Sequence, residues 1–351
     1  EMCIRDRHIV LLILGAFFVA KAIETNNLHK RIALATIKAI GTSRSKVMLS
    51  FMIATGFLSM WTSNNSTTLM MLPIGLAIIA REKEMGADTK RFAPALMLSI
   101  AYSASIGGTG TLVGTPPNLV FVSTAQELLP NSPDILFTDW LKIGIPFVVL
   151  FLPIAWIYII KFFKVSGDLK GRSHVIKQEY IALGNISLAE RKVLVIVILY
   201  AFGFIFRDNW SSFLGVSNFV KDSTVAFFAA IVLFSLSSGR KNKEGTNERL
   251  LEWEDAKDIP WAIAMLIGGG LAIASAFKSS GLVEWIGANL ILNDIPVFLI
   301  IIAVVTAMVF LTEINSNTAT TAVFLPVLAG VSEAGNFHPF LLMVPATIAA
   351  S

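Results

Sequence analysis

A short run of hydroxyl and amide side chains occurs twice in this sequence, each time between two apolar stretches. The first copy, SNNSTT, occupies residues 63–68 within FLSMWTSNNSTTLMMLPI (57–74), and the second lies within FLTEINSNTATTAVFLPV (310–327). Aligned without gaps, the copies keep a constant offset of 253 residues, from Ser63 to Ser316 (316 − 63). Such side chains supply neutral oxygen ligands and hydrogen-bond donors without a fixed charge. The duplication predicts one ligand-binding site built from two equivalent pieces of chain.

The ends of helices at such polar breaks could bind ions of either sign. A helix N-terminus carries partial positive charge and suits a carboxylate or another oxyanion. A helix C-terminus and unwound carbonyl groups suit a dehydrated hard cation such as Na⁺. Neither 57–74 nor 310–327 contains lysine or arginine. The charge of a bound anion must therefore be balanced by helix dipoles and co-bound cations, which favours cation-coupled anion symport over simple anion conduction.

The composition predicts an all-α integral membrane protein. Hydrophobic residues make up 55% and charged residues 15% of the 351 residues, and the mean hydropathy is +0.71. Soluble domains carry about 25% charged residues, whereas the repeated apolar runs of about 17–25 residues fit a bilayer. The net charge of +4 resides in loops beside apolar runs, which indicates membrane topology and no nucleic-acid partner. With Cys3 as the only cysteine, neither an intramolecular disulfide nor a thiolate metal cluster can form.

Positive charges around the first motif predict a re-entrant hairpin. Apolar runs at 47–60 and 69–80 flank a tip at 61–67. Basic residues lie on both sides of this pair: Lys38, Arg44 and Lys46 before it, and Arg81, Lys83, Lys90 and Arg91 after it. Because basic loops stay cytoplasmic, both ends of the pair face the cytoplasm and the hairpin dips into the membrane and returns.

The second motif is predicted to sit in a hairpin that enters from the opposite side. Runs at 295–311 and 319–331 flank it, and no lysine or arginine follows Lys278. Both halves of the chain then read as span, interfacial helix, re-entrant hairpin and broken span, with the interfacial helices predicted at 29–40 and 282–292. Their opposite orientation predicts an inverted-topology repeat, in which polar breaks in corresponding places mark a transporter's binding site.

The first broken span runs from 92 to 121 and is interrupted by IGGTGTLVGTPPN at 106–118. Glycines and a double proline do not continue a helix, because Pro116 and Pro117 donate no backbone N–H. Irregular backbone inside a membrane is tolerated where protein covers it or where it lines a cavity. We therefore assign the break to the binding site. The following segment, 123–139, lacks lysine and arginine and is predicted to be an external loop.

These patterns predict four divisions of the chain. Residues 1–7 form a possible artefactual leader, and residues 8–139 form the first repeat. Residues 140–260 hold scaffold spans and a basic cytoplasmic connector. Residues 261–351 form the second repeat, which we interpret as truncated, since the sequence stops in an apolar run before any second TPPN break.

Competing interpretations concern Glu313 and the motif serines. Glu313 lies in the second tip, where a carboxylate is either functional or a buried hydrogen-bonding strut. An intramembrane hydrolase would use Ser63 or Ser316 as its nucleophile, but that requires a nearby base, and neither adjoining apolar span contains histidine or lysine. The sequence therefore predicts that the protein is not an enzyme and has no catalytic residues. A channel would require a continuous pore, which two opposed hairpins could also build.

At these motifs the chain resembles the divalent anion–sodium symporter family, whose members transport dicarboxylates, citrate or sulfate. That family carries two Ser-Asn-Thr motifs at hairpin tips and a Thr-Pro-Pro break in the partnering helix. Here the motifs are Ser63-Asn64-Asn65 and Ser316-Asn317-Thr318, and the break is GTPPN at 114–118. The resemblance extends over nearly the whole chain from His8. Asn65 stands where the family has threonine, which bears on substrate selectivity.

The resemblance implies a set of site residues. One Na⁺ site would use Ser59, Ser63, Asn64 and Gly114. The other would use Thr312, Asn315 and Asn317. The dianion would contact the two tips and the break, at Ser63, Asn64, Asn65, Thr115, Pro116, Ser316, Asn317 and Thr318.

The resemblance also implies a function and partners. The expected activity is Na⁺-coupled symport of C4-dicarboxylates such as succinate, malate and fumarate across a bacterial cytoplasmic membrane. A sulfate or citrate symporter and a Na⁺-independent dicarboxylate exchanger are the alternatives. The family implies a multi-pass homodimer in the lipid bilayer with elevator-like motion, and Na⁺ as coupling ion with no other cofactor.

Overall fold

The structure is a computed structural model that describes residues 8–39, 43–129, 132, 135–169, 181, 183–217, 219–241, 245, 247–289 and 295–351. The leader at 1–7 lies outside the described residues. So do Lys170, Arg172 and Lys177 of the basic connector, Lys243 of the following loop, and the end of the second predicted interfacial stretch at 290–292.

The described chain is mostly helical, as the composition predicts. The helices are α1 (His8–Thr25), α2 (Leu28–Ala39), α3 (Arg44–Ser59), α4 (Asn64–Glu84), α5 (Phe92–Gly108), α6 (Pro116–Leu128), α7 (Phe137–Phe163), α8 (Leu188–Ile205), α9 (Arg207–Phe213), α10 (Asp222–Ser235), α11 (Trp253–Ala256), α12 (Trp261–Ser279), α13 (Leu282–Asn289), α14 (Val297–Thr312), α15 (Asn317–Ala334) and α16 (Phe340–Ala349). Among the described helices, α1, α7 and α12 are long and apolar enough to cross a membrane, and α5, α10, α14 and α16 are shorter apolar helices.

Two details differ from the sequence-based expectations. The basic loop after α10 contains two short antiparallel strands, β1 (Ser237–Lys241) and β2 (Asn247–Arg249). The described chain is therefore consistent with the predicted all-α fold class, with this loop as a local exception. The predicted external loop 123–139 is also too long, because α6 continues to Leu128 and α7 begins at Phe137. Residues 123–128 contain no glycine or proline that would end the helix earlier.

The chain forms two compact units, each holding one motif. The first-motif unit consists of the described residues within Leu14–Gly114 and Phe137–Ile259. The second-motif unit consists of the described residues within Glu1–Ile13, Thr115–Leu136 and Pro260–Ser351. The chain thus passes from one unit to the other within the predicted break, between Gly114 and Thr115.

Helix α5 lies at the centre of the part of the first-motif unit that holds the motif, and packs against α3, α4 and α7. It approaches α3 closely at Gly107, where a Cβ atom would lie 2.2 Å from the carbonyl oxygen of Gly56. Two facing glycines allow this contact because neither has a side chain to hold the helices apart. Fully buried side chains such as Met48, Phe51 and Leu96 fill the surrounding core.

Polar contacts connect α1 and α2 of the first-motif unit to α8 and to the loop that contains β1 and β2. The Asn26 side chain, at the end of α1, donates to the carbonyl oxygen of Leu250 at 2.8 Å and accepts from Arg240 at 2.7 Å. Arg31 of α2 forms a two-pronged pair with Glu190 of α8 at 2.9 and 3.1 Å. These contacts join segments that lie far apart in sequence.

The second-motif unit is built around α6, α12 and α15. Helix α6 packs against α12, α15 and α16, while α13 packs against α15 and α14 against α16. Gly270 of α12 faces Ala322 of α15, whose methyl carbon would lie 2.9 Å from a Cβ atom on the glycine. The helix that follows the first motif's break therefore packs on the helix that carries the second motif.

Candidate functional site

The two motifs form tips with the same backbone geometry. The first helix of each pair ends at Ser59 or Thr312, and the second begins at Asn64 or Asn317, so both ends keep the 253-residue offset (312 − 59 and 317 − 64). The N-cap residue is extended in both copies, with φ and ψ of −63° and 149° at Ser63 and −61° and 128° at Ser316. The repeat in the sequence is thus a repeat in local structure.

Hydrogen bonds within the tips repeat as well. The Thr67 N–H donates to the Ser63 carbonyl oxygen at 2.9 Å, and Thr320 makes the same bond to Ser316 at the same distance. The hydroxyl groups of the following threonines, Thr68 and Thr321, donate to the carbonyl oxygens of Asn64 and Asn317 at 2.8 and 2.7 Å. Both helices therefore start with the same backbone bond and the same threonine bond in the first turn.

In the first tip, the predicted site residue Ser59 lies at the centre of a polar cluster. It is fully buried, and its hydroxyl group lies 2.8 Å from Asn64 Oδ1 and 2.7 Å from the carbonyl oxygen of Ala104 on α5. One hydroxyl proton therefore serves two acceptors. The bond to Oδ1 also fixes the orientation of the Asn64 amide, leaving its NH₂ group on the opposite side.

Two glycines bring further backbone oxygens to this cluster. A Cβ atom on Gly108 would lie 2.1 Å from Asn64 Oδ1, so the amide rests directly against the backbone of α5. A Cβ atom on Gly114 would lie 2.4 Å from the Gly108 carbonyl oxygen and 2.9 Å from that of Ser59. The structure thus brings together Ser59, Asn64 and Gly114, three of the four residues predicted for the first Na⁺ site.

The break between α5 and α6 is covered by protein. The Thr111 hydroxyl group donates to the Met60 carbonyl oxygen at 2.6 Å and accepts from the Gly114 N–H at 3.1 Å. The indole N–H of Trp140 on α7 donates to the Thr109 carbonyl oxygen at 2.8 Å. These side chains were absent from the predicted site, although Thr111 lies within the glycine-rich string that marked the break. Their bonds satisfy backbone groups that a bilayer could not.

Two more hydroxyl pairs stiffen the first tip. The Ser63 hydroxyl group donates to Ser66 Oγ at 2.8 Å and accepts from the Ser66 N–H at 3.2 Å. Buried Thr62 and Thr67 share a hydrogen bond of 2.6 Å between their hydroxyl groups. Asn65, in contrast, is exposed. Sequence reasoning missed Ser66 and Thr62 as partners, because hydrogen-bond pairing depends on the turn geometry.

The second tip has different side-chain bonds. The Thr312 hydroxyl group donates back to its own helix, at Met308 and Val309. Across the residues that the structure describes, the Ser59–Asn64 bond has no counterpart between Thr312 and Asn317. Asn315 and Ser316 are exposed, Asn317 is half-buried and Thr318 is buried.

Three other residues complete the sequence predictions. Thr115 is buried and Pro116 is half-buried at the start of α6, where two prolines leave the first two positions without N–H donors. Glu313 is exposed in this chain, so the interpretation as a buried strut is wrong. Within the described part of the chain, no group of three His, Cys, Asp or Glu side chains is placed to hold a metal ion.

Comparison with known proteins decides the family. The family model described as "Sodium:sulfate symporter transmembrane region" matches residues 6–351. The chain belongs to this family. It is therefore part of a multi-pass membrane transporter and not an enzyme, and the resemblance read from the Ser-Asn motifs is confirmed.

Curated relatives of this sodium:sulfate symporter family member include two staphylococcal proteins. The sodium-dependent dicarboxylate transporter SdcS of Staphylococcus saprophyticus is 42% identical over 353 residues, covering 98% of this chain and 67% of that protein. The protein of the same name from Staphylococcus aureus strain NCTC 8325 is 41% identical over the same length, with the same coverage. This chain thus spans about two thirds of the length of both relatives.

Proposed function

We propose that this protein couples the transport of a C4-dicarboxylate to a Na⁺ gradient across the cytoplasmic membrane of a bacterium. The observation that carries the proposal is the duplicated tip, whose two copies share one backbone geometry and present neutral oxygens and helix N-termini. The relatives named as sodium-dependent dicarboxylate transporters support the choice of cation and substrate. Succinate, malate and fumarate are the substrates that we propose.

The proposed first cation site uses Ser59, Ser63, Asn64 and Gly114. Its support is the convergence of hard oxygen atoms, namely the Ser59 hydroxyl and carbonyl groups, Asn64 Oδ1 and the backbone beside Gly114. Neutral oxygens suit Na⁺, which needs no charged ligand. The proposed second cation site uses the corresponding Thr312, Asn315 and Asn317.

The proposed dianion site draws on both tips and the break. Its residues are Ser63, Asn64, Asn65, Thr115, Pro116, Ser316, Asn317 and Thr318. Support comes from the two helices that start directly after Ser63 and Ser316, α4 and α15. The first turn of a helix offers N–H donors and partial positive charge to a carboxylate. Cations bound beside each tip would supply the remaining positive charge.

We further propose that both hairpins are re-entrant and related by inverted topology, as the distribution of lysine and arginine predicts. In this proposal 8–139 and 261–351 are the repeats, and 140–260 is a scaffold in a homodimer with elevator-like motion. Cysteine accessibility from each side of the membrane tests the topology. Glu84→Cys and Asn336→Cys, each at the exposed end of its hairpin away from the tip, should react from opposite sides in the full-length protein when membrane-impermeant reagents are used.

The activity is tested in proteoliposomes with the full-length protein. Labelled succinate uptake driven by inward Na⁺ is compared with uptake when K⁺ replaces Na⁺, and with competition by fumarate and malate. Asn64→Ala and Asn317→Ala should each abolish uptake, whereas Ser235→Ala, on an exposed hydroxyl group of α10, should not. Uptake without Na⁺ would refute the coupling and point to an exchanger.

Sulfate is the second candidate substrate, because the matching family is described by sodium:sulfate symport. Labelled sulfate and citrate in the same vesicles distinguish the alternatives. Na⁺-dependent sulfate uptake that succinate does not inhibit would replace the dicarboxylate proposal while leaving the cation sites in place.

A further inference from the structure

The two tips differ at one position that touches a motif serine. Ser66 in the first tip corresponds to Ala319 in the second, at the same 253-residue offset (319 − 66). The N-cap backbone is extended in both tips, so the two side chains can be compared at the same place in the turn. This difference changes what the preceding serine, Ser63 or Ser316, offers to a ligand.

In the first tip the serine hydroxyl group already uses its proton. Ser63 donates to Ser66 Oγ at 2.8 Å and accepts from the Ser66 N–H at 3.2 Å. A serine hydroxyl group has one proton and two acceptor lone pairs. Ser63 is therefore left with one lone pair and no proton for a ligand, an arrangement that attracts a cation and repels a carboxylate oxygen.

In the second tip no such acceptor exists at the corresponding position. The Ala319 side chain carries no oxygen, and Ser316 makes no side-chain capping bond to the first turn of α15. Ser316 is also exposed, whereas Ser63 is half-buried. Its proton remains available for a carboxylate oxygen, to which a hydroxyl group donates a strong, charge-assisted hydrogen bond.

We infer that Ser66 is a positioning residue that turns the Ser63 lone pair toward Na⁺, and that the two motif serines have separate tasks. Ser63 binds the cation, and Ser316 donates to the dianion. This inference rests on the proposed function and narrows it, since it removes direct contact between the Ser63 hydroxyl group and the dianion. Replacing Ser66 should therefore affect Na⁺ more than substrate.

The test uses Ser66→Ala, Ser66→Thr and Ala319→Ser in the full-length protein. In Ser66→Ala the Ser63 hydroxyl group can still accept from the backbone N–H of residue 66, so the helix start is retained. Succinate uptake in proteoliposomes gives the Na⁺ half-saturation concentration and, at saturating Na⁺, the succinate KM. Thermal unfolding in detergent with increasing Na⁺ and no dicarboxylate gives a second measure of Na⁺ binding that does not depend on transport.

Ser66→Ala should raise the Na⁺ half-saturation concentration by about threefold to tenfold, as for the loss of one oriented hydrogen bond, and leave the succinate KM unchanged. Ser66→Thr should restore the wild-type value. Ala319→Ser gives Ser316 an acceptor for its proton, so this variant should raise the succinate KM by a similar factor and leave Na⁺ binding unchanged.

Equal Na⁺ half-saturation in wild type and Ser66→Ala would overturn the inference, and so would a raised succinate KM with unchanged Na⁺ binding. These results are distinct from failure of the proposed function, in which the wild-type protein itself takes up no succinate. In that case the Na⁺ titration of thermal unfolding still decides the role of Ser66.

Discussion

Replacing Gly107 with alanine tests whether the close approach of α3 and α5 builds the first cation site. The new methyl carbon would lie 2.2 Å from the Gly56 carbonyl oxygen, so the helices must separate by about 1.2 Å to reach an ordinary contact of 3.4 Å. The same separation would lengthen the bond between Ser59 and Ala104 from 2.7 to about 3.9 Å, which is no longer a hydrogen bond. Overpacking of this kind costs about 1–3 kcal/mol.

We therefore expect Gly107→Ala to lower the thermal unfolding temperature in detergent and to weaken stabilisation by Na⁺. Gly269→Ala is the matched control, because Gly269 is also a glycine within a helix and has nothing within 4 Å of a built Cβ atom. That variant should be neutral or slightly more stable, since alanine favours a helix by about 1 kcal/mol over glycine. Unchanged unfolding and Na⁺ response in Gly107→Ala would refute the reasoning.

Three further predictions concern single side chains. Ser59→Ala removes a buried donor and should raise the Na⁺ half-saturation of uptake at least about tenfold. Burial, together with the nearby charge of Lys30, lowers the pKa of His29 in the predicted interfacial helix below its ordinary value of 6.5. As the pH falls below 6.5, the unfolded chain therefore takes up the proton before the folded protein does, and the folded protein loses stability. His29→Gln should flatten this loss in thermal unfolding measured from pH 7.5 to 5.5. Arg31→Ala removes the arginine that pairs with the buried carboxylate of Glu190 and should destabilise by about 3 kcal/mol in chemical denaturation. Arg81→Ala, which breaks an exposed pair, should cost under about 1 kcal/mol.

The positions of the tips could be predicted from the sequence because they depend on local chemistry. Small polar residues interrupt apolar runs at a constant offset, and the helices end and restart there, at Ser59 and Asn64 and again at Thr312 and Asn317. Proline at the start of α6 likewise ends the preceding irregular segment, since its φ angle fits the first turn of a helix.

Pairings across the fold could not be predicted in the same way. The contact of Ser59 with Ala104 and the bond from Trp140 to Thr109 join residues 45 and 31 positions apart. Such contacts depend on how helices pack, and a repeat pattern does not specify packing. Nor did the pattern indicate that α6, the helix after the first break, packs against α15 of the other motif.

The short strands β1 and β2 escaped prediction for a different reason. Their sequences, Ser-Ser-Gly-Arg-Lys and Asn-Glu-Arg, are polar throughout and lack the alternation that marks a half-buried strand. Main-chain pairing and the anchoring of Arg240 by Asn26 stabilise them instead.

A proline stands nine residues after the first residue of the second helix in both hairpins, at Pro73 and Pro326 (73 − 64 and 326 − 317). Each proline withholds the N–H that would bond to the carbonyl group four residues earlier, at Leu69 and Ala322. Local opening of α4 and α15 therefore begins at the same depth behind each tip. In hydrogen–deuterium exchange, the turn next to each proline should lose protection before the rest of its helix. The two prolines would then be a matched pair of bending points that the duplication placed in both hairpins.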